Sequence, residues 1–349
     1  MPRLVPPAEL PRFAFGGVIA TKDPAHLPPR VRINTPFNNF VSPTLLRKAL
    51  SQYPHIAEAI DESLAKTPPP GPLRDTMANG ATWSQWLSTA PECGGATDEQ
   101  HQALMQWNLD EMHAQNEQHG PWLLDAHEEF TSDLEEGVAD GRISPRLLKH
   151  WHKNGRDATL FIDGPLSTAT DTANAYSKYG VVRFTAEFTQ GIATHEFLHL
   201  AGTFYRHYLN EAGAEYLTRA LRNEANLSTY IGHTILLEET LTAAHVNTLE
   251  FSQAFAGDRG VANERALRRL VRRKNSADLF GDYLDEADIT MHRAQRHHSM
   301  GIALTLSAAE MMRRRKTFGT DKEIIQRVGP NLDDEQVQVA ISAMHKIYA

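Results

Sequence analysis

Residues 190–217 read QGIATHEFLHLAGTFYRHYLNEAGAEYL. Within them lies Thr194-His195-Glu196-Phe197-Leu198-His199, an H-E-x-x-H pattern. On a helix, His195 and His199 share one face, about 6 Å apart along the axis. Two imidazoles so placed can bind one zinc ion, each at about 2.0–2.1 Å. Glu196 lies about 100° further round the helix. It misses the ion but reaches a water beside it, where a general base acts. Ile192, Phe197, Leu198 and Ala201 are apolar and would bury the rest of the helix. The chain holds 17 histidines, so one such pattern has to be weighed against chance, and its surroundings decide. The competing reading is a core helix with two hydrogen-bonded histidines. Two His and a Glu converging on a buried face would be costly without a metal or such partners.

Upstream, residues 181–188 (Val-Val-Arg-Phe-Thr-Ala-Glu-Phe) are β-branched and aromatic and predict a strand, joined to the motif through Gln190 and Gly191. Downstream, residues 209–218 read Leu-Asn-Glu-Ala-Gly-Ala-Glu-Tyr-Leu-Thr. H-E-x-x-H followed by an Asn-Glu helix of the form N-E-x-x-x-E-Y resembles the gluzincin class of zinc metallopeptidases. The resemblance covers about 25 residues of the chain. It implies zinc held by His195, His199 and Glu211, with Glu196 activating water. It also implies that Glu215 supports a metal-binding histidine from behind. Only 11 residues separate His199 from Glu211, a shorter spacer than many gluzincins have. In one unbroken helix Glu211 would lie about 18 Å along the axis from His199, so the chain must turn back between them. Gly202 suits a C′ position and Asn210 an N-cap or turn, with residues 203–208 forming the reversal. Gly202 also permits a metzincin-like reading, whose third ligand would fall at Tyr205. Tyr205 is not a ligand type, which leaves His207, two residues on, as the rival to Glu211.

This ligand set implies a zinc-dependent metallopeptidase. A metal-activated water attacks the peptide carbonyl, with Glu196 as general base and then proton donor to the leaving amine. A further donor to the developing oxyanion is expected. Tyr230 and His233, in Ser228-Thr229-Tyr230-Ile231-Gly232-His233-Thr234, are candidates, and Tyr205 and His207 compete. The strand at 181–188 would offer an edge to an extended peptide. A zinc hydrolase of a non-peptide amide would use the same ligands. A non-enzymatic helical interaction protein remains the third class.

The rest of the chain sets the frame. It has 349 residues, a net charge of −8, 41% hydrophobic and 22% charged residues. That suffices for a sizeable core and disfavours a general nucleic-acid binder. One cysteine, Cys93, excludes an intramolecular disulfide. Its setting, Pro91-Glu92-Cys93-Gly94, faintly resembles a metzincin prodomain switch, though a lone loop cysteine without a role is favoured. The opening MPRLVPPAELPRF lacks an apolar signal region, and apolar runs are too short to span a bilayer. A cytoplasmic protein with a peptide or protein substrate is therefore expected. Basic clusters at 268–269, 272–274 and 313–316, and the histidines 150, 152, 292, 297 and 298, read as solvated surface. No G-x-S-x-G, P-loop or dinucleotide fingerprint occurs.

The fold expected is mainly helical α+β. A Pro-rich arm and helical region occupies 1–155, and a zincin-like domain occupies 156–349. That domain would have a small sheet over the H-E-x-x-H helix and a helical C-terminal lobe. Helices are expected from Pro43 to about Lys66, as two or three segments over 97–152 broken at Gly120-Pro121 and at 137–141, and over 192–203, 210–223, 227–247, 262–273, 298–316 and 332–347. A strand with a turn is expected at 158–165.

Overall fold

Long i, i+3, i+4 apolar patterns and few β-branched runs make this chain mostly helix. A computed structural model describes residues 3–4, 43–52, 54–77, 80–162, 164–166, 173–176, 181–184, 188–222, 230–275, 277–298, 300–316 and 318–348. In chain order the elements are β1 (Arg3–Leu4), α1 (Pro43–Gln52), α2 (Pro54–Lys66), α3 (Gly71–Arg74), α4 (Trp83–Ser88), α5 (Asp98–Ala139), α6 (Pro145–Asn154), β2 (Thr159–Ile162), β3 (Ala173–Tyr176) and β4 (Val181–Phe184). There follow α7 (Gln190–Ala201), α8 (His207–Arg222), α9 (Ile231–Ala243), α10 (Thr248–Phe255), α11 (Gly260–Lys274), α12 (Leu279–Gln295), α13 (Met300–Arg315), α14 (Asp321–Val328) and α15 (Asp334–Tyr348). The mainly helical α+β class is as expected.

Two compact units are present: Met1–Glu128 with Arg156–Ala193, and Glu129–Gly155 with Thr194–Ala349. In the first, α1, α2 and α4 pack around Leu46, Leu64, Trp86 and Leu104. Its sheet has the order β1-β2-β4-β3, with β2 parallel to β1 and β4, and β3 antiparallel to β4. Buried asparagines of α5 hold the end of β2. The Asn116 Oδ1 accepts from Ile162 N–H (2.9 Å) and the Asn108 Oδ1 from Leu166 N–H (2.7 Å). A Cβ at Gly164 would meet Asn108, so the turn after β2 needs glycine.

Several expectations are corrected. The pattern over 43–66 is two helices, divided before Pro54, which cannot donate into a continuing helix. Helix α5 runs unbroken through Gly120-Pro121. Its buried stripe stays in phase across the proline, with Leu104, Met112, Asn116 and Gly120 before it and Leu123, His127 and Phe130 after it. The pyrrolidine itself is exposed, so burial of that stripe outweighs one missing hydrogen bond. Strand β4 is an inner strand with β2 and β3 on its two sides, so the open edge expected there is taken. Strands β1 and β3 and helices α3, α4, α10, α12 and α14 had no sequence expectation. Residues 5–42 of the Pro-rich arm, 185–187 of the expected strand, Asp163, 223 and 227–229 of the helices expected over 210–223 and 227–247, and 299 of the helix expected over 298–316 lie outside the described residues.

The second unit carries α7 on an aromatic floor. Phe197 packs with Phe130 and Trp151, ring centroids 5.5 and 5.7 Å away. In the turn between α7 and α8, the Phe204 ring packs edge-on against Phe251 and Phe255 of α10. Gly213 on α8 leaves room for the Phe204 and Phe255 rings. Helix α8 packs on α9, and α12 on α13.

Candidate metal centre

Thr189 starts α7: its carbonyl accepts from Ala193 N–H and its hydroxyl from Ile192 N–H. The helix ends at Ala201, and α8 begins after five intervening residues. The chain therefore doubles back, as the ligand geometry demanded. Gly202 makes that possible by a different route from the one expected. Its backbone is not left-handed. A Cβ there would instead lie 2.6 Å from the Phe255 carbonyl oxygen and 2.4 Å from its ring, so close approach is what requires glycine.

The reversal brings three side chains to one point. His195 Nε2 lies 3.0 Å from Glu211 Oε2, His199 Nε2 lies 3.2 Å from the same oxygen, and the two imidazole nitrogens are 3.2 Å apart. All three residues are buried, and among the described residues no other His/Cys/Asp/Glu cluster comes together in this way. Behind them, His195 Nδ1 faces the fully buried Glu215 Oε2 at 3.5 Å. Glu215 is in turn reached by the Arg219 guanidinium at 3.2 Å. His199 Nδ1 lies 3.0 Å from the Asn210 amide nitrogen. Asn210 also closes the turn, its Oδ1 accepting from Phe204 N–H (2.8 Å) and the Thr203 hydroxyl (3.0 Å).

The surrounding carboxylates favour positive charge at this point. Burial works against a charged His195, but Glu211 and Glu215 overcome it and lift its pKa to about 10. Burial likewise opposes a charged Glu211, yet the two imidazoles hold it well below the usual carboxylate range. Two buried carboxylates stand here against one guanidinium, and a proton or a metal ion can make up the difference.

The donor set fits zinc. Two imidazole nitrogens and a carboxylate oxygen are a recognised catalytic combination, and three donors leave a fourth position open. A tetrahedron with bonds of about 2.0 Å has edges of about 3.3 Å, close to the separations found. One neighbour must adapt. With Nδ1 accepting from Asn210, the His199 proton sits on Nε2, which a metal needs bare. The Asn210 carboxamide is held as it stands by Phe204 N–H and the Thr203 hydroxyl, so metal binding requires the His199 imidazole to give up its contact with the Asn210 amide nitrogen.

The remaining candidates divide. Glu196 is partly exposed on α7, and its charge is felt at His195. The Tyr230 ring stacks over His195, centroids 6.1 Å apart at 15°, and meets His207 edge-on at 6.0 Å. The half-exposed His207 has Nδ1 3.5 Å from Glu211 Oε1, beside the ligand carboxylate. Tyr205 is 72% exposed. His233 is not brought to the triad. It is fully buried between Tyr208 and Tyr283, with Nδ1 3.4 Å from the Tyr283 hydroxyl, and burial drives its pKa down to about 3. Cys93 is exposed at the end of a short 3-10 turn, Pro91–Cys93.

Basic clusters are largely paired: Arg268 and Arg272 to Asp278, Lys274 to Glu250, Arg313 and Arg314 to Glu310, and Arg315 to Glu239. No described helix is long and apolar enough to cross a membrane. No family model matches the chain, and no curated protein or solved structure matches it.

Proposed function

We propose that this protein is a zinc-dependent metallopeptidase, with His195, His199 and Glu211 holding the ion and Glu196 as general base. The observation that carries the reading is the convergence of the three donors to 3.0–3.2 Å, next to a partly exposed glutamate on the same helix. Bound zinc supplies a Lewis acid and brings water within reach of deprotonation near neutral pH. Glu196 takes the proton of the attacking water and returns it to the leaving amine. Tyr230, whose ring lies 6.1 Å from that of His195, is the candidate donor to the substrate carbonyl oxygen. Arg219 and Glu215 hold the His195 imidazole from behind.

Elemental analysis of the purified protein tests this first. About one zinc per chain is expected, lost in His199→Ala and in Glu211→Ala. Glu196→Ala should keep the metal and lose at least about 100-fold in hydrolysis of a peptide library. A protein that takes up no zinc on incubation would exclude the proposal.

A further inference from the structure

The turn that joins the two ligand helices is held from outside. Thr203 N–H donates to the Phe255 carbonyl (3.1 Å), and Gly257 N–H donates to the Ala201 carbonyl (3.0 Å). Two consecutive residues of α11 complete the hold. The Asn263 amide, 3% exposed, donates to the carbonyls of Thr203 (2.9 Å), Phe255 (3.0 Å) and Gly257 (3.1 Å). Glu264, 6% exposed, accepts from Arg206 N–H (2.6 Å) and from the Arg206 guanidinium (2.6 Å). That guanidinium also meets Asp288 on α12 (2.9 Å), which accepts from the Tyr208 hydroxyl (2.8 Å). Asn263 therefore fixes the side of the turn leaving α7, and Glu264 fixes the residue that opens into α8. Glu211 lies five positions beyond Arg206, within the first turn and a half of that helix.

We infer that Asn263 and Glu264 set the spacing of the metal centre, acting as positioning residues for Glu211 against His195 and His199. The inference rests on the metal reading proposed above. The physical case is one of lever and anchor. The α7–α8 turn has five residues and no regular structure of its own. A buried carboxylate with two charge-assisted hydrogen bonds is a strong anchor. Removing it frees Arg206 N–H and lets the start of α8 shift. A shift of a few tenths of an ångström at Glu211 spoils a tetrahedral donor set, whereas the hydrophobic packing of α8 tolerates it. Metal affinity should therefore fall more than fold stability does.

The test is zinc affinity by competition with a chromophoric chelator, together with the visible spectrum of the cobalt-substituted protein. Wild type, Glu264→Gln, Glu264→Ala and Asp278→Asn are compared. Asp278 pairs with Arg268 and Arg272 on the same helix but takes no part in the turn, so Asp278→Asn controls for general weakening of α11. Glu264→Ala should raise the zinc Kd by roughly tenfold or more, in the range of losses known for outer-shell residues, and alter the cobalt absorption that reports coordination geometry. Glu264→Gln keeps an acceptor for Arg206 N–H and should recover most of the loss. If the alanine variant fails to fold, Asn263→Ala, which removes the other hold on the turn, carries the test and should likewise raise the zinc Kd by roughly tenfold or more. Asp278→Asn should match wild type in both readouts. A Kd for Glu264→Ala, or for Asn263→Ala in its place, within twofold of wild type, with an unchanged cobalt spectrum, overturns the inference while leaving the metal site standing. Absence of zinc binding in wild type itself overturns the underlying reading instead.

Discussion

His195 and His233 are both buried, yet their protons behave in opposite ways. His195 sits among carboxylates that lift its pKa to about 10, while His233 sits among tyrosine rings and burial lowers its pKa to about 3. The company a histidine keeps is invisible in a sequence. The i, i+4 spacing of His195 and His199 marked them, whereas nothing local distinguished His233 from a catalytic donor. His233 has a measurable signature of its own. Its pKa is depressed from 6.5 to about 3 in the fold, so between those values the unfolded chain binds more protons. Stability is complete above about pH 6.5 and is lost as pH falls below it. At pH 5 the loss from this one group is about 2 kcal/mol. His233→Gln removes that component. Urea unfolding at about pH 7.5 and about pH 5 should show wild type losing about 2 kcal/mol more than the variant. An equal loss in both would contradict a neutral buried imidazole.

At the level of elements, the long helix α5 carries the clearest lesson. Its buried stripe was readable residue by residue, but Gly120-Pro121 reads as a break. The stripe continues in phase beyond the proline, and packing of both halves overrides the local signal. The proline still costs a hydrogen bond at the Glu117 carbonyl. Because Pro121 is exposed, Pro121→Ala should restore that bond without disturbing the core and raise stability by about 1–2 kcal/mol. Thermal unfolding would check it. A lower Tm would mean that the ring shapes the helix in a way the core depends on. The α7–α8 reversal was legible because two ligands and a third could not otherwise meet. The anchors on α11 were not, since contacts between residues near 203 and 264 leave no local pattern. A faint signal did exist. Glu264 is the single acid of a basic helix, and it falls on the buried stripe with Asn263, Leu267 and Val271.

At the scale of the whole chain, the candidate ligands and the residues that anchor their turn all belong to the second unit, Glu129–Gly155 with Thr194–Ala349. A metal bound there stabilises the folded chain by mass action, by about 2.7 kcal/mol at a free concentration one hundred times Kd. Excess chelator should accordingly lower the unfolding temperature of wild type and leave that of His199→Ala unmoved. Equal shifts in the two would place the chelator's effect elsewhere. The helical class and the small sheet followed from patterning. The sheet's order did not, because β3 is Ala-Asn-Ala-Tyr, a sequence with little strand character, recruited by its pairing with β4.

The anchored turn also gives the centre a history. A chain is made from its N-terminus, so His195, His199 and Glu211 leave the ribosome while residues 263 and 264 are still to be added. On the metal reading proposed above, an ion captured early would meet a loose hairpin and exchange freely. Once α11 docks, Asn263 and Glu264 close on the turn, and an ion held there would leave more slowly than from the bare hairpin. On that reading, exchange of an ion in the finished protein would then be paced by the opening of those α11 contacts.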